Sequence, residues 1–190
     1  MNTENRRLIL ASGSPRRRDL LEKMGFTFEI CTPDVDENVP GHASDIVCTL
    51  ALRKARAAAE NYSDGVIIAS DTLVSLNGIP LGKPEDENDA KRMLRTLSGS
   101  NHEIFTGVCI IDAATGRNEV QLERTDVWFR EVTDEEIDAY IATGEPMDKA
   151  GSYAIQGLGG KFVDHFDGSY ENAVGFPVDV VRDMLSRFGF

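Results

Sequence analysis

Two adjacent arginines stand where a helix is predicted to begin. Arg16 and Arg17 follow the segment Ser12–Pro15, in which Ser14 can cap a helix that opens with the proline. A cation in the first turn opposes the helix dipole and costs about 0.3–1 kcal/mol. An anion bound between the arginines and the N–H groups of the helix start would remove this cost. The segment indicates either a phosphate site that includes Ser12 or a solvated basic turn.

Carboxylates occur in two further places where they could act on a phosphate. Asp71 directly follows an apolar stretch, residues 65–70, that is typical of a central strand. Ligands of α/β sheets bind beyond the carboxyl ends of strands, so Asp71 is a candidate metal ligand or base, or else an ordinary turn residue. Asp34, Asp36 and Glu37 could supply oxygen ligands for Mg²⁺ or Mn²⁺, or simply face solvent.

Separate cations and one amide complete the set of candidate residues. Lys83 lies between a glycine and a proline, and Lys54 lies near the apolar face of a predicted helix. Gln156 is surrounded by four glycines at positions 151, 157, 159 and 160, which indicates either close approach of a ligand or a flexible loop. Together these residues offer cations for several phosphates, carboxylates for a metal and an amide able to read a base edge.

Composition and missing motifs exclude other classes of function. The chain of 190 residues carries a net charge of −12, which repels nucleic acid, and no apolar run is long enough to span a membrane. The three cysteines form no CxxC pair, and the first residues do not resemble a signal peptide, so we expect a cytoplasmic protein. There is no GxxxxGK[ST] motif and no histidine beside a nucleophile signature. Metal-assisted attack by water therefore fits better than covalent catalysis.

The elements that must position these residues are predicted from hydrophobic periodicity and capping signals. Predicted strands are residues 8–11, 27–31, 65–70, 73–76, 79–81, 103–112, 119–130 and 161–166. Predicted helices are residues 15–24, 44–62, 86–97, 134–143 and 177–187, the fourth opened by a capping box of Thr133 and Glu136. A type I′ turn is expected at Asn77 and Gly78. The mixture of hairpins and βα units predicts one α/β domain, residues 1–190, on a mixed sheet with flanking helices.

Several motifs occur in order along nearly the whole chain. They include the opening segment at residues 8–21, Ser70-Asp71-Thr72, Leu81-Gly82-Lys83-Pro84, Asp148-Lys149-Ala150-Gly151, Ile155-Gln156-Gly157 and Val174-Gly175-Phe176-Pro177. Together they resemble the Maf family of nucleotide pyrophosphatases. The resemblance implies release of a nucleoside monophosphate and pyrophosphate with the help of Mg²⁺ or Mn²⁺. It also implies homodimers and a fold similar to that of inosine triphosphatases, with two lobes around a central cleft.

The resemblance further implies roles for individual residues. Asp71 would be the catalytic carboxylate that activates water, and it would bind the metal together with Glu37. The triphosphate would be held by hydroxyl and cationic side chains, namely Ser12, Arg16, Arg17, Lys54 and Lys83.

Three positions point to the dTTP/UTP branch of the family: Arg16, Thr72 and Gln156. Members that act on 7-methyl-GTP tend to carry Trp, Gln and Glu there. The last difference has a physical reason, because an amide both donates and accepts hydrogen bonds, as uracil and thymine require. The alternatives are a pyrophosphatase for 7-methyl-GTP or another modified nucleotide, and a nucleotide-binding regulator, for instance of cell division.

Overall fold

The chain forms one mixed sheet with flanking helices in the computed structural model, which describes residues 6–190. The strands are β1 Leu8–Ala11, β2 Glu29–Cys31, β3 Val66–Leu76, β4 Ile79–Leu81, β5 Asn101–Asp112, β6 Asn118–Phe129 and β7 Val163–Asp167. The helices are α1 Pro15–Lys23, α2 Ala43–Ala59, α3 Glu87–Leu97, α4 Asp134–Ile141, α5 Tyr170–Val174 and α6 Val178–Arg187. Short 3₁₀ turns span Glu145–Asp148, Ala150–Ser152 and Leu158–Phe162. The seven strands follow the order β2-β1-β3-β5-β6-β7, with β4 beside β3, which confirms the predicted α/β class.

The described chain divides into two compact units. The first comprises residues 6–71, 106–123 and 175–190, and the second comprises residues 72–105 and 124–174. Strands β3, β5 and β6 each begin in one unit and end in the other. That residues 1–190 act as one functional domain stays a prediction, and residues 1–5 lie outside the described part.

Strand β1 shows how the core of the first unit is organised. All four of its residues are buried, and successive side chains of a strand point to opposite faces. Leu8 and Leu10 join a cluster with residues of α1 and α6, whereas Ile9 and Ala11 pack with residues of α2. Helices therefore cover both faces of this part of the sheet, as the continuous apolar pattern predicts.

Helix α2 lies unusually close to the sheet. Its inward stripe is made of small residues, Ala51, Ala55 and Ala58, all fully buried. Where it crosses β5, a Cβ added to Gly107 would lie 2.5 Å from the backbone of Val47. Because α2 lies so close to the sheet, long side chains that flank these alanines can reach β3.

The core of the second unit is rich in aromatic residues. Tyr140 of α4 meets Phe162 edge to face, with ring centroids 5.1 Å apart. Phe129 of β6 contacts both the ring of Tyr153 and that of the buried His102. The aromatic rings other than His102 share one buried cluster with residues of α3, α4 and the strands of this unit.

The prediction that a strand ends at Asp71 is wrong. β3 continues from Val66 through Asp71 to Leu76, first parallel to β1 and then antiparallel to β4. A polar residue inside a buried strand is tolerated when it has a partner, and Lys54 provides one. The turn after β3 is as predicted, since Asn77 and Gly78 have φ values of 52° and 80°.

Other boundaries differ by a few residues. β2 begins at Glu29, and α2 begins at Ala43 with His42 in the capping position. The short helix α5 was not predicted, whereas the capping box of Thr133 and Glu136 is confirmed. Among the described residues, the helices lack the length and apolar character needed to cross a bilayer.

Candidate functional site

The turn between β1 and α1 is organised by Ser12. Its hydroxyl oxygen accepts hydrogen bonds from the backbone N–H of Ser14 at 3.2 Å and from the Arg17 guanidinium at 3.3 Å. Helix α1 begins at Pro15 as predicted, but the side chain of Ser14 makes no capping hydrogen bond. The start of α1 carries the positive end of the helix dipole, which favours an anion.

Arg17 is held in place beside this turn. Its Nε donates to the carbonyl oxygen of Gly175 at 2.9 Å, and its side chain is partly buried. The pKa of Arg17 is lowered overall, chiefly by burial and also by the charge of Arg16. The carboxylates of Asp71 and Glu37 act in the opposite direction and raise it. The two arginines and the two carboxylates therefore share one electrostatic neighbourhood, although the Arg16 side chain is exposed.

Lys54 links the two carboxylates that were predicted to act together. Its ammonium nitrogen lies 2.6 Å from Asp71 Oδ1 and 2.8 Å from Glu37 Oε1. The side chains of Lys54 and Asp71 are only 16% and 12% exposed, so this pair is poorly screened by solvent, whereas Glu37 is 66% exposed. We call Glu37, Lys54 and Asp71 the Lys54 cluster.

The fold explains why Lys54 and Asp71 meet. Ile67, Ala69 and Asp71 are alternate residues of β3, and the first two pack with α2. Asp71 therefore points to the helix-covered face. Lys54 stands three residues after the buried Ala51 of α2, and its long side chain reaches the same face.

The acidic loop after β2 has a structural role as well. Arg53 of α2 donates to the backbone oxygen of Asp36 at 2.9 Å, and the Asp36 side chain accepts the N–H of Asn38 at 2.9 Å. The exposed Asp34 lies in the same loop. These contacts hold the loop on α2 and place Glu37 next to Lys54.

The residues present fit a metal ion that arrives with its substrate. Within residues 6–190, no three His, Cys, Asp or Glu side chains come together as a complete metal site. Asp71 and Glu37 nevertheless converge on one ammonium group. Mg²⁺ is commonly bound by one or two carboxylates while substrate phosphates and water complete its octahedron. Asp71 and Glu37, beside the cationic side chains of Lys54 and Arg17, match this pattern.

Three predicted site residues belong to the second unit. Thr72 follows Asp71 in β3 and is half-buried, while Lys83 and Gln156 are exposed. The loop of Lys83 is fixed because the oxygen of Gly82 accepts the N–H of Gly151 at 3.0 Å. The parts of Thr72, Lys83 and Gln156 in substrate binding stay predictions.

Residues 151–160, here called the glycine-rich loop, contain a feature that the sequence analysis missed. The carboxylate of Glu145 accepts hydrogen bonds from the N–H groups of Leu158 and Gly159, each at 3.1 Å. Glu145 lies outside the loop, and no local pattern connects it with residues 13 and 14 positions later. The density of glycines was the only sequence signal of this close packing.

Comparisons with known proteins agree with the motifs. A family model described as "Maf-like protein" matches residues 7–188. A "dTTP/UTP pyrophosphatase" of Bdellovibrio bacteriovorus is 47% identical over 188 residues, which cover 95% of this chain and 98% of the relative. A protein of the same name from Bacillus cereus is 52% identical over 185 residues, or 96% of each chain. Another, from Pelotomaculum thermopropionicum, is 48% identical over 96% of this chain and 97% of its own.

Proposed function

The chain belongs to the Maf family, and from this premise we propose that it hydrolyses dTTP and UTP to the nucleoside monophosphate and pyrophosphate. Relatives that match it over nearly their whole length carry the name of this activity. The observation that carries the proposal is the Lys54 cluster beside Ser12 and Arg17. It combines a buried carboxylate with phosphate-binding cations. Binding alone would not need Asp71 together with Glu37.

Residues of the first unit bind the triphosphate. The guanidinium of Arg17 is preorganised, because the Ser12 hydroxyl and the Gly175 carbonyl hold it, and the start of α1 adds the positive end of the helix dipole. Arg16 adds an exposed cation in the same turn. Lys83 is assigned to phosphate binding as the family resemblance implies.

Asp71 is assigned as the base. Its Oδ1 accepts a hydrogen bond from Lys54, and we assign its Oδ2 to a water molecule. Asp71 takes a proton from this water, whose oxygen forms a bond to the α-phosphorus. The bond from the α-phosphorus to the bridging oxygen breaks, and that oxygen leaves with pyrophosphate. Lys54, Lys83 and the arginines offset the charge that develops on the leaving group.

Asp71 and Glu37 would hold Mg²⁺ or Mn²⁺. When bound, such an ion neutralises phosphate charge and polarises the phosphorus–oxygen bonds. Lys54 now pairs with the same two carboxylates. It keeps them close together, and its ammonium can turn to a phosphate once the substrate brings its own counter-ion.

Arg16, Thr72 and Gln156 are assigned to substrate selection. Gln156 is exposed on the glycine-rich loop and can both donate to and accept from a pyrimidine edge. We place the enzyme in the cytoplasm as a single functional domain of residues 1–190. The homodimer implied by the family stays a prediction that sedimentation velocity would check.

A substrate panel tests the proposal. The purified chain is incubated with dTTP, UTP, dCTP, dATP, dGTP and 7-methyl-GTP, with Mg²⁺, with Mn²⁺ or with chelator. Products are separated as mono-, di- and pyrophosphate. We expect dTTP and UTP to be the best substrates, with monophosphate and pyrophosphate as the products and no turnover in chelator.

Labelled water tests the position of attack. In H₂¹⁸O the label should enter the monophosphate and not the pyrophosphate, because the water oxygen bonds to the α-phosphorus. A preference for 7-methyl-GTP would replace the assigned substrate class. Tight triphosphate binding without product would instead favour a regulator.

A further inference from the structure

Glu145 accepts three hydrogen bonds from the second unit. Its Oε1 accepts from the Tyr140 hydroxyl at 2.8 Å and from the N–H of Gly159 at 3.1 Å, and its Oε2 accepts from the N–H of Leu158 at 3.1 Å. Two of these donors are backbone groups of the glycine-rich loop. One side chain thus fastens the loop to the end of α4.

The glycines of the loop are required by this contact. A Cβ added to Gly157 would lie 2.6 Å from Glu145 Oε1, and one added to Gly159 would lie 2.6 Å from the Tyr140 oxygen. Gly157 has an extended backbone, so steric room and not backbone strain explains its identity. The loop therefore approaches the pair of Glu145 and Tyr140 more closely than any side chain would allow.

The charge of Glu145 suits its three donors. Partial burial raises its pKa, but the hydrogen bonds from Leu158, Gly159 and Tyr140, with the nearby Lys149, outweigh this and lower the pKa overall. Glu145 is accordingly ionised at neutral pH. An ionised carboxylate only accepts hydrogen bonds, and hydrogen bonds to a charged acceptor are stronger than neutral ones.

We propose that Glu145 is a positioning residue for substrate selection: by clamping Leu158 and Gly159 it fixes where the neighbouring Gln156 presents its amide. This inference rests on the proposed function, in which Gln156 reads the base. Gln156 lies two residues before the clamped segment, so its backbone position depends on where that segment is held. Misplacement by about 1 Å is enough to cost an order of magnitude or more in rate.

The test is a double-mutant cycle of Glu145→Gln and Gln156→Ala. In Glu145→Gln one oxygen becomes an NH₂ group that faces either Leu158 N–H or the other two donors, so the clamp is weakened. We expect the ratio of kcat/KM for dTTP to kcat/KM for dATP to fall about tenfold, mainly through KM for dTTP. In the Gln156→Ala background the same substitution should change the ratio by less than about twofold, because Glu145 acts through Gln156.

Tyr140→Phe gives a graded version of the experiment. It removes one of the three donors and keeps both backbone hydrogen bonds. The ratio of kcat/KM for dTTP to that for dATP should therefore fall less in Tyr140→Phe than in Glu145→Gln. Thr133→Ala, at the start of α4, is the matched control: it weakens the same unit without touching the loop, and it should leave the ratio unchanged. Amide hydrogen exchange at Leu158 and Gly159 should accelerate in Glu145→Gln and not in the control.

The inference would be overturned, while the proposed function stands, if Glu145→Gln lowered the ratio of kcat/KM for dTTP to that for dATP equally in the wild-type and Gln156→Ala backgrounds. A ratio unchanged by Glu145→Gln would overturn it as well. A wild-type chain without preference for dTTP or UTP would overturn the proposed function and this inference with it. Unchanged amide exchange at Leu158 and Gly159 would overturn the clamp itself, whatever the substrate.

Discussion

The Lys54 cluster and the glycine-rich loop are built in opposite ways. In the cluster, charged side chains from β3, α2 and the acidic loop contact one another, and Lys54 serves two carboxylates at once. In the loop, backbone N–H groups bind the carboxylate of Glu145, and glycines leave no space between the partners. In the proposed function, the groups of the cluster change partners when substrate and metal bind. The loop consists of groups that cannot move without breaking several contacts.

This difference suggests a division of work. Exchangeable charges suit a step in which phosphates, protons and a metal ion come and go. A fixed loop suits recognition, in which an amide must stay at one place to reject the wrong base. Substitutions in the cluster should therefore reduce turnover of all substrates alike, and substitutions in the loop should change the choice among substrates.

The largest expected effect is that of Asp71→Asn. The amide cannot take a proton from water, so kcat for dTTP and UTP should fall by about 10²–10⁴, the usual contribution of a general base. Steady-state kinetics would measure this, and circular dichroism should show an unchanged fold. The preference between dTTP and dATP should persist in the residual activity.

Asp19→Asn is the control for Asp71→Asn, because it removes one carboxylate charge from the exposed surface of α1 in the same unit. It should retain full kcat. Turnover close to that of the wild type in Asp71→Asn would end the assignment of Asp71 as base.

Gln156→Glu should affect selection. A carboxylate accepts but does not donate, so one hydrogen bond to uracil or thymine is lost and an acceptor faces an acceptor. We expect kcat/KM for dTTP and UTP to fall roughly 10- to 100-fold, which corresponds to one unmatched polar contact. Gln121→Glu makes the same chemical change on β6 and serves as the control. If kcat/KM for both pyrimidine nucleotides stayed constant, Gln156 would have no part in selection.

The two regions also differ in how far the sequence predicts them. Features set by neighbouring residues were predicted correctly: the end of β1 at Ala11, the helix that opens at Pro15, the turn at Asn77 and the capping box of Thr133. Each depends on backbone preferences within a few residues. The change from apolar residues to Asp71 led to a wrong strand end, because Lys54, the partner that lets Asp71 lie inside β3, is 17 residues away on a different element.

Long-range contacts explain what the sequence did not predict. Candidate charges such as Glu37, Lys54 and Asp71 were recognised by residue type, but that one ammonium contacts both carboxylates follows only from the packing of α2 on β3. The clamp by Glu145 was missed entirely. Its partners are backbone N–H groups, which every non-proline residue has and which leave no mark in the sequence.

Acid should weaken the region of the glycine-rich loop. His102 is buried, and its Nε2 lies 2.7 Å from the hydroxyl of Tyr153 in the glycine-rich loop. Burial lowers the pKa of His102 from 6.5 to about 4, against a smaller opposing effect of Asp126. Between these values the unfolded chain binds a proton that the folded chain does not. The contribution of neutral His102 is therefore complete above pH 6.5 and is lost as the pH falls towards 4.

At pH 5 this contribution should be reduced by about 2 kcal/mol. Urea unfolding of the wild type and of His102→Gln at pH 7 and pH 5 would measure it, since the variant lacks the titrating group. The free energy of unfolding should fall less between the two pH values in the variant. Identical pH dependence in both proteins would show that His102 is protonated equally easily in the folded and unfolded states.

The smallest expected effect belongs to Thr133→Ala and separates stability from selection. The Thr133 hydroxyl accepts the N–H of Glu136 at 3.3 Å, and Glu136 accepts the N–H of Thr133 at 3.0 Å. Loss of the first bond should lower the free energy of unfolding by about 1 kcal/mol and the melting temperature by about 2–4 °C. Calorimetry would measure the shift, and the ratio of kcat/KM for dTTP to that for dATP should not move. If the ratio fell in Thr133→Ala as well, any destabilisation of the second unit would be enough to reduce substrate selection. The effect of Glu145→Gln would then be explained by lost stability alone.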